Sequence, residues 1–374
     1  MLKLGSIADD KIHLASIDGL RGIAVLMVLA VHTSQRVGNV ATGSFNSSIV
    51  EQFINAGARG VQLFFLLSAF TLFRSSKIKF DREISPRRNF YIRRAFRILP
   101  LWWLVTALYT VLGNNDFAAS LPSFLMYFGF IRYSPGVDIF PLGWSIFAEE
   151  TFYLLLPLIF GFVTCIRRAC MFFVALLALS LLWRVLAGSF GVPNENDFIF
   201  LFPLSHWFCF GLGILLFLIY EKKSWRALLN DARMAWMFDI TAILALFVLL
   251  RTKYILASFG LAYVFIVSLS NSTLFGKIAR SALLTRFGIC CYSIYLLQFA
   301  TLDYTDSFKD WLLGWMGVKG SSVEVRFLMW FPMVAFLNLT LGMVVFRFIE
   351  KPCVELGKKV IQSLERHPSA VTAE

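Results

Sequence analysis

Ten apolar runs divide the 374-residue chain, at 17–35, 56–73, 95–113, 141–163, 170–187, 199–220, 234–250, 254–270, 287–304 and 327–346. About twenty apolar residues in helical rise cover the hydrocarbon core of a bilayer. In lipid every backbone N–H and C=O must be paired within the fold, which admits only helices or closed barrels. The runs are continuously apolar rather than alternating. The expectation is therefore an all-α integral membrane protein of about ten transmembrane helices. Composition agrees: 58% of the residues are hydrophobic and 16% charged, against roughly a quarter charged in soluble domains. Runs seven and eight are separated only by Arg251–Lys253. The stretch 117–131 is short and interrupted by Pro122, and is read as interfacial or re-entrant.

The net charge of +12 could suggest nucleic acid in a soluble chain. Here the basic residues cluster in short loops, as on the cytoplasmic side of a membrane, and no nucleic-acid partner is expected. With the N-terminus inside, cytoplasmic segments hold 24 Lys and Arg and external ones hold 6. That bias places both termini in the cytoplasm. Residues 1–35 could instead be a signal peptide, since Lys3 and Lys11 precede the apolar Ile23–Val31. Asp18 and Arg21 inside the run, and the lack of a small-x-small site after it, argue against cleavage. The expected organisation is a cytoplasmic segment 1–16, a single transmembrane domain 17–350 and a short, polar, mobile cytoplasmic tail 351–374. Cys165, Cys170, Cys209, Cys290, Cys291 and Cys353 all avoid the external loops, so no structural disulfide is expected. No spacing suits a metal.

Ionisable residues within a span are costly and face a cavity or a partner. The first span has Asp18, Arg21 and His32. At about 100° per residue the three share one helix face. Asp18 and Arg21 are one turn apart and can pair. His32 lies in the outer half, and imidazole is the commonest general base near neutral pH. His13 and His367 sit in polar segments, and His206, after Pro203, reads as structural. The fourth span opens with Gly143–Tyr153, in which Ser145 and Glu149 share a face. Glu150 is turned about 100° away. Glu149, at the same depth as His32, could orient a base or hold an acceptor hydroxyl. Arg94 and Arg97, one turn apart at the cytoplasmic mouth of the third span, could clamp phosphates. The competing readings are structural: an ion pair for Asp18 and Arg21, a hydrogen-bonded interior histidine for His32, pairing to buried arginines for Glu149 and Glu150, and plain positive-inside charge for the basic loop that leads into Arg94, though not for Arg97.

These residues resemble, over roughly 17–352, the membrane acyltransferase 3 family, bacterial O-acyltransferases that decorate surface polysaccharides. Ile17–Ala24 looks like its first-helix signature, and His32 falls at its histidine. Gly60–Phe70 is similar to the second motif. Arg94, Arg97, Ile98 and Pro100 match the third, and Trp144, Ser145, Glu149, Glu150, Phe152 and Tyr153 the fourth. Tyr292–Leu297 and Ile349–Pro352 resemble the last two. The resemblance implies His32 and Glu149 as catalytic residues and Arg94 and Arg97 as the acyl-CoA site. Asp18, Arg21, Ser145, Glu150 and Tyr153 are then supporting residues. It further implies acetyl-CoA as donor substrate, no tightly bound cofactor, and no metal. The acceptor would be a glycan or lipid-linked sugar, the location the bacterial inner membrane, and the partners polysaccharide assembly proteins. Four positions depart from the family's habit: Gln62 where an acid is common, Ala69 for glycine, Thr151 for glutamine and Gln298 for histidine. A secondary transporter, or a non-catalytic export component, would also bury charges in ten helices.

Overall fold

The computed structural model describes residues 7–38, 49–112, 143–187, 189, 199–251 and 254–366. The chain runs α1 (Ile7–Gly38), α2 (Ile49–Ala56), a 3-10 turn at Gly57–Arg59, α3 (Gly60–Phe80), α4 (Pro86–Leu112), α5 (Gly143–Ile159) and α6 (Ile166–Ala187). It continues through a 3-10 turn at Pro203–Ser205, α7 (Trp207–Tyr220), α8 (Lys223–Asn230), α9 (Ala235–Arg251), α10 (Tyr254–Ser268) and α11 (Leu274–Ala279). The last elements are α12 (Ala282–Ile289), α13 (Cys291–Tyr304), α14 (Asp306–Trp315), α15 (Val323–Val345), a π turn at Phe346–Glu350 and α16 (Lys351–Arg366). Among the described residues there is no strand.

Where its residues are described, each predicted run falls mostly on helix. Among the described residues, four helical stretches are long and apolar enough to cross a membrane: Ala15–Gly38, Ile54–Phe80, Ile166–Ala187 and Val323–Arg366. A fifth arises if α12 and α13 count as one span, and α7, most of α9, and α10 are shorter apolar helices. The predicted interfacial stretch 117–131 lies outside the described residues.

Three expectations change. The ninth run is not one straight helix: Cys290, at φ −103° and ψ 20°, leaves the helical region, and α12 and α13 meet at 80°. The sixth run is broken at Pro203. Phe202 before it is extended at φ −71° and ψ 140°, as steric clash with a following proline requires. The stretch from Lys351 to Arg366 is an ordered helix rather than a mobile tail. Val354, Gly357, Ile361 and Leu364 recur at helical spacing and supply the face that packs on α4, where Gly357 sits against Phe96.

The helices gather into two compact units. One comprises residues 1–67 and 219–343, the other 68–218 and 344–374. In the first unit, α1 lies against α11 and α12 at backbone contact. A Cβ at Gly19 would collide with the carbonyl of Ala279, one at Gly22 with Leu284, and one at Gly288 with Asp18. Small residues at such spacing let membrane helices approach closely and gain dispersion contact. At its other end, Leu29 and Val37 of α1 join Leu302, Trp330 and Val334 in a buried cluster. In the second unit the aromatic residues do the packing. Phe152 stacks on Phe210 at 4.4 Å, and Phe70 and Phe73 meet Phe217 edge-on at 5.5 and 5.7 Å. The N-terminal part of α4 is tied to α16 and to the α3–α4 turn. Glu365 accepts from Asn89 at 2.6 Å and from the Ile84 N–H at 3.1 Å, and Glu83 holds Arg93 through two bonds of 2.7 and 3.1 Å.

Candidate active site

The second unit contains a cluster built on one carboxylate. Glu149 sits on the second turn of α5, and its Oε1 accepts hydrogen bonds from the hydroxyls of Tyr153, one turn on, and Ser68, on α3. The spacing of Glu149 and Tyr153 follows from the helix, because residues four apart stack on one face. The contact with Ser68 comes from packing between helices 81 residues apart in sequence. The Arg94 guanidinium of α4 lies 5.8 Å over the Tyr153 ring and within electrostatic reach of Glu149, Glu150 and Arg97. A guanidinium over an aromatic face is attracted by the ring's negative quadrupole.

Two polar atoms remain open in this cluster. The Arg94 Nε and the Glu150 Oε1 are buried and have no hydrogen-bond partner among the described residues. A buried polar atom without a partner carries its full desolvation cost, so such atoms commonly mark where a ligand or water completes the set. Ser145 is buried on the same helix, one turn before Glu149. Trp144 beside it packs on the His206 ring at 4.9 Å, and His206 in turn bonds the Phe200 carbonyl through Nε2 at 2.6 Å. That is the structural histidine expected from its place after Pro203. Thr151 turns back to its own helix, donating to the Phe147 carbonyl at 2.8 Å.

The first unit holds His32. Its Nδ1 lies 3.1 Å from Gln35 Oε1, and its ring packs on Phe299 at 4.6 Å. An amide oxygen can only accept. With Gln35 Oε1 as the acceptor, the proton lies on Nδ1 and Nε2 keeps its lone pair, the tautomer a general base needs. The last turn of α1 beyond His32 is fixed from α13 and α14. Arg36 pairs with Asp303, and Lys309 donates to the Arg36 carbonyl at 3.1 Å while pairing with Asp306 at 2.5 Å. At the opposite end of α1, Asp18 and Arg21 form the expected i,i+3 pair at 3.2 Å.

Of the residues singled out from sequence, Glu149, Tyr153 and Arg94 come together, with Glu150 and Arg97 in electrostatic range. Asp18 and Arg21 pair with each other, beside the backbone contact of Gly288 on α1. Two neighbours of the candidate residues, Ser68 and Gln35, emerge only in the structure. Ser68 stands in Gly60–Phe70 as a lone hydroxyl in an apolar run, which is its signal in the sequence. Gln35 follows His32 by three residues, a spacing that could have been read as a partner. None of the six cysteines, all among the described residues, is in a disulfide. Among the described residues, no group of three or more His, Cys, Asp or Glu could hold a metal.

A family model described as an acyltransferase domain matches residues 14–347, running across both units. The chain is also similar to "Acyltransferase MdmB" of Streptomyces mycarofaciens, with 25% identity over 378 residues, 92% of each protein. No solved structure matches it. With the family model covering almost all of a chain made of apolar helices, and with a relative that is itself an acyltransferase, the protein belongs to the membrane acyltransferase 3 family.

Proposed function

We propose that the protein is a multi-pass O-acyltransferase of a bacterial inner membrane, with about ten spans and both termini in the cytoplasm. In this reading it takes an acyl group, acetyl by default, from CoA at the cytoplasmic face. It places that group on a hydroxyl of an exported polysaccharide or glycolipid. The observation that carries the reading is the Glu149 carboxylate, fixed by two hydroxyls and flanked by the Arg94 guanidinium within apolar helices. A chain that only needed helix packing gains little from such an arrangement, because isosteric apolar residues pack as well without the desolvation cost.

His32 Nε2 takes the proton of the acceptor hydroxyl as its oxygen attacks the thioester carbonyl. The tetrahedral intermediate collapses, the carbon–sulfur bond breaks, and the proton passes from His32 to the departing thiolate. The products are the ester and CoA. In the alternative order the acyl group first rests on His32 and the acceptor attacks second. Arg94 and Arg97 supply positive charge for CoA's phosphates. Glu149, with Ser68 and Tyr153, holds the polar end of a substrate and balances Arg94.

The test is mass spectrometry of surface and exported glycans from cells expressing wild type or His32→Ala at equal membrane level. Loss of one acyl mass from one glycan identifies the donor and narrows the acceptor. Unchanged acylation of every glycan removes the polysaccharide acceptor from the proposal. Radiolabelled acetyl-CoA separates the two orders: a hydroxylamine-sensitive label on the enzyme, absent from His32→Ala, rules out direct transfer.

A further inference from the structure

A cavity of about 240 Å³ lies beside α8 in the first unit. Its wall is one face of α8, formed by Lys223, Arg226, Ala227 and Asn230, together with Tyr220 and the turn after α10 at Leu269 and Asn271. Positions i, i+3, i+4 and i+7 necessarily share a helix face, so the sequence commits two cations to the same cavity. Arg226 is held but not used up. Its guanidinium lies 5.9 Å over the Tyr220 ring, and one nitrogen donates to the Glu221 carbonyl at 3.3 Å. Its Nε is buried and meets no acceptor among the described residues. Asn230 Oδ1 accepts the Asn271 N–H at 2.8 Å, which fixes its amide and leaves the NH₂ as a donor.

Two nearby acids are committed elsewhere. Asp231 pairs with Arg233 at 3.0 Å, and Asp239 caps α11 by accepting from the Leu274 and Phe275 N–H groups at 2.8 and 3.3 Å. The cavity wall thus has a guanidinium, an ammonium and carboxamides, and no carboxylate. Lys223 also opens α8, whose start no side chain caps among the described residues. The positive end of the helix dipole reinforces the same sign.

We propose that this cavity binds the phosphate of a phosphoester. Guanidinium and ammonium donors converging without an acid partner match phosphate oxygens, and the volume suits a phosphate with a small substituent. The flanks point to membrane lipid as its source. Trp225 and Leu228 of α8 and Trp236 of α9 are exposed, and exposed tryptophans beside basic residues are characteristic of the headgroup level. The site does not depend on the acyl-transfer chemistry proposed above.

The test uses the purified full-length protein in detergent, titrated by native mass spectrometry with phosphatidylglycerol, with phosphate-free diacylglycerol and with inorganic phosphate. Three variants are compared. Arg226→Gln removes the charge, Ala227→Trp fills the cavity from an exposed position while keeping both charges, and Arg233→Gln changes a cation outside it. Phosphatidylglycerol is expected to bind wild type and Arg233→Gln alike, and Arg226→Gln and Ala227→Trp about tenfold more weakly. The same variant pattern with inorganic phosphate but not the lipid keeps the phosphate site and assigns it a soluble ligand. Three results overturn the proposal: neither phosphate probe distinguishing wild type from both Arg226→Gln and Ala227→Trp, equal loss in Arg233→Gln, or diacylglycerol binding as well as phosphatidylglycerol.

Discussion

His32 and Glu149 are both oriented by hydrogen bonds, but by different routes. The partner of His32 is Gln35, three residues along the same helix, so helix formation alone brings them together. Glu149 takes one partner from its own helix and one, Ser68, from α3. Its geometry exists only once separate helices have packed. The imidazole is therefore fixed by local structure and the carboxylate by tertiary structure. A change in helix packing should reach Glu149 well before it reaches the His32–Gln35 pair.

Substitutions separate the two kinds of support. The largest loss is expected for His32→Ala, about 10²- to 10⁴-fold in acetyl transfer by isolated membranes, the usual contribution of a positioned base. Retention of more than a tenth of the rate would remove His32 from the chemistry. Glu149→Gln keeps the size and removes the charge that balances Arg94, and a fall of about 10²-fold is expected. If Glu149→Asp is equally poor, position as well as charge is needed; if it restores the rate, only charge matters. For Gln35→Leu, the imidazole loses the acceptor that sets its tautomer. Rate assays should show roughly a tenfold loss in kcat with KM little changed, since the histidine remains in place. The smallest effect belongs to Ser68→Ala, about fivefold, because Tyr153 still donates to the carboxylate and one neutral hydrogen bond contributes about 1 kcal/mol. A Ser68→Ala loss as large as that of Glu149→Gln would mean that the hydroxyl itself meets substrate.

The same contrast separates what could be read in the sequence from what could not. The Asp18–Arg21 pair was legible because its spacing is one helical turn. So was the helical character of all ten apolar runs, because lipid leaves few alternatives. The break at Pro203 had a visible cause in proline stereochemistry. The 80° bend at Cys290 had none, since no proline or charge marks it and only the fold shows Gly288 pressed on the Asp18 backbone. Helix α16 carried its periodicity openly, yet its charges made it read as a tail. Phe96 across from Gly357, with Asn89 and the Ile84 N–H beside Glu365, explains why it orders. The Ser68 contact was out of reach for a further reason: donor and acceptor are 81 positions apart, and a single sequence holds no trace of such pairing.

The tie between α16 and the start of α4 bears on how this protein should be handled at the bench. Glu365, one residue from the end of the helix, reaches both Asn89 and the Ile84 backbone. Asn89 also meets Glu83, which grips Arg93 next to Arg94. An affinity tag or topology reporter fused after Arg366 leaves that chain of contacts whole. One fused a few residues earlier, or a crystallisation truncation drawn at the last apolar span, removes Glu365 and loosens the helix that presents Arg94. A preparation shortened in that way could be pure, membrane-inserted and inactive, and would wrongly count against the arginines themselves.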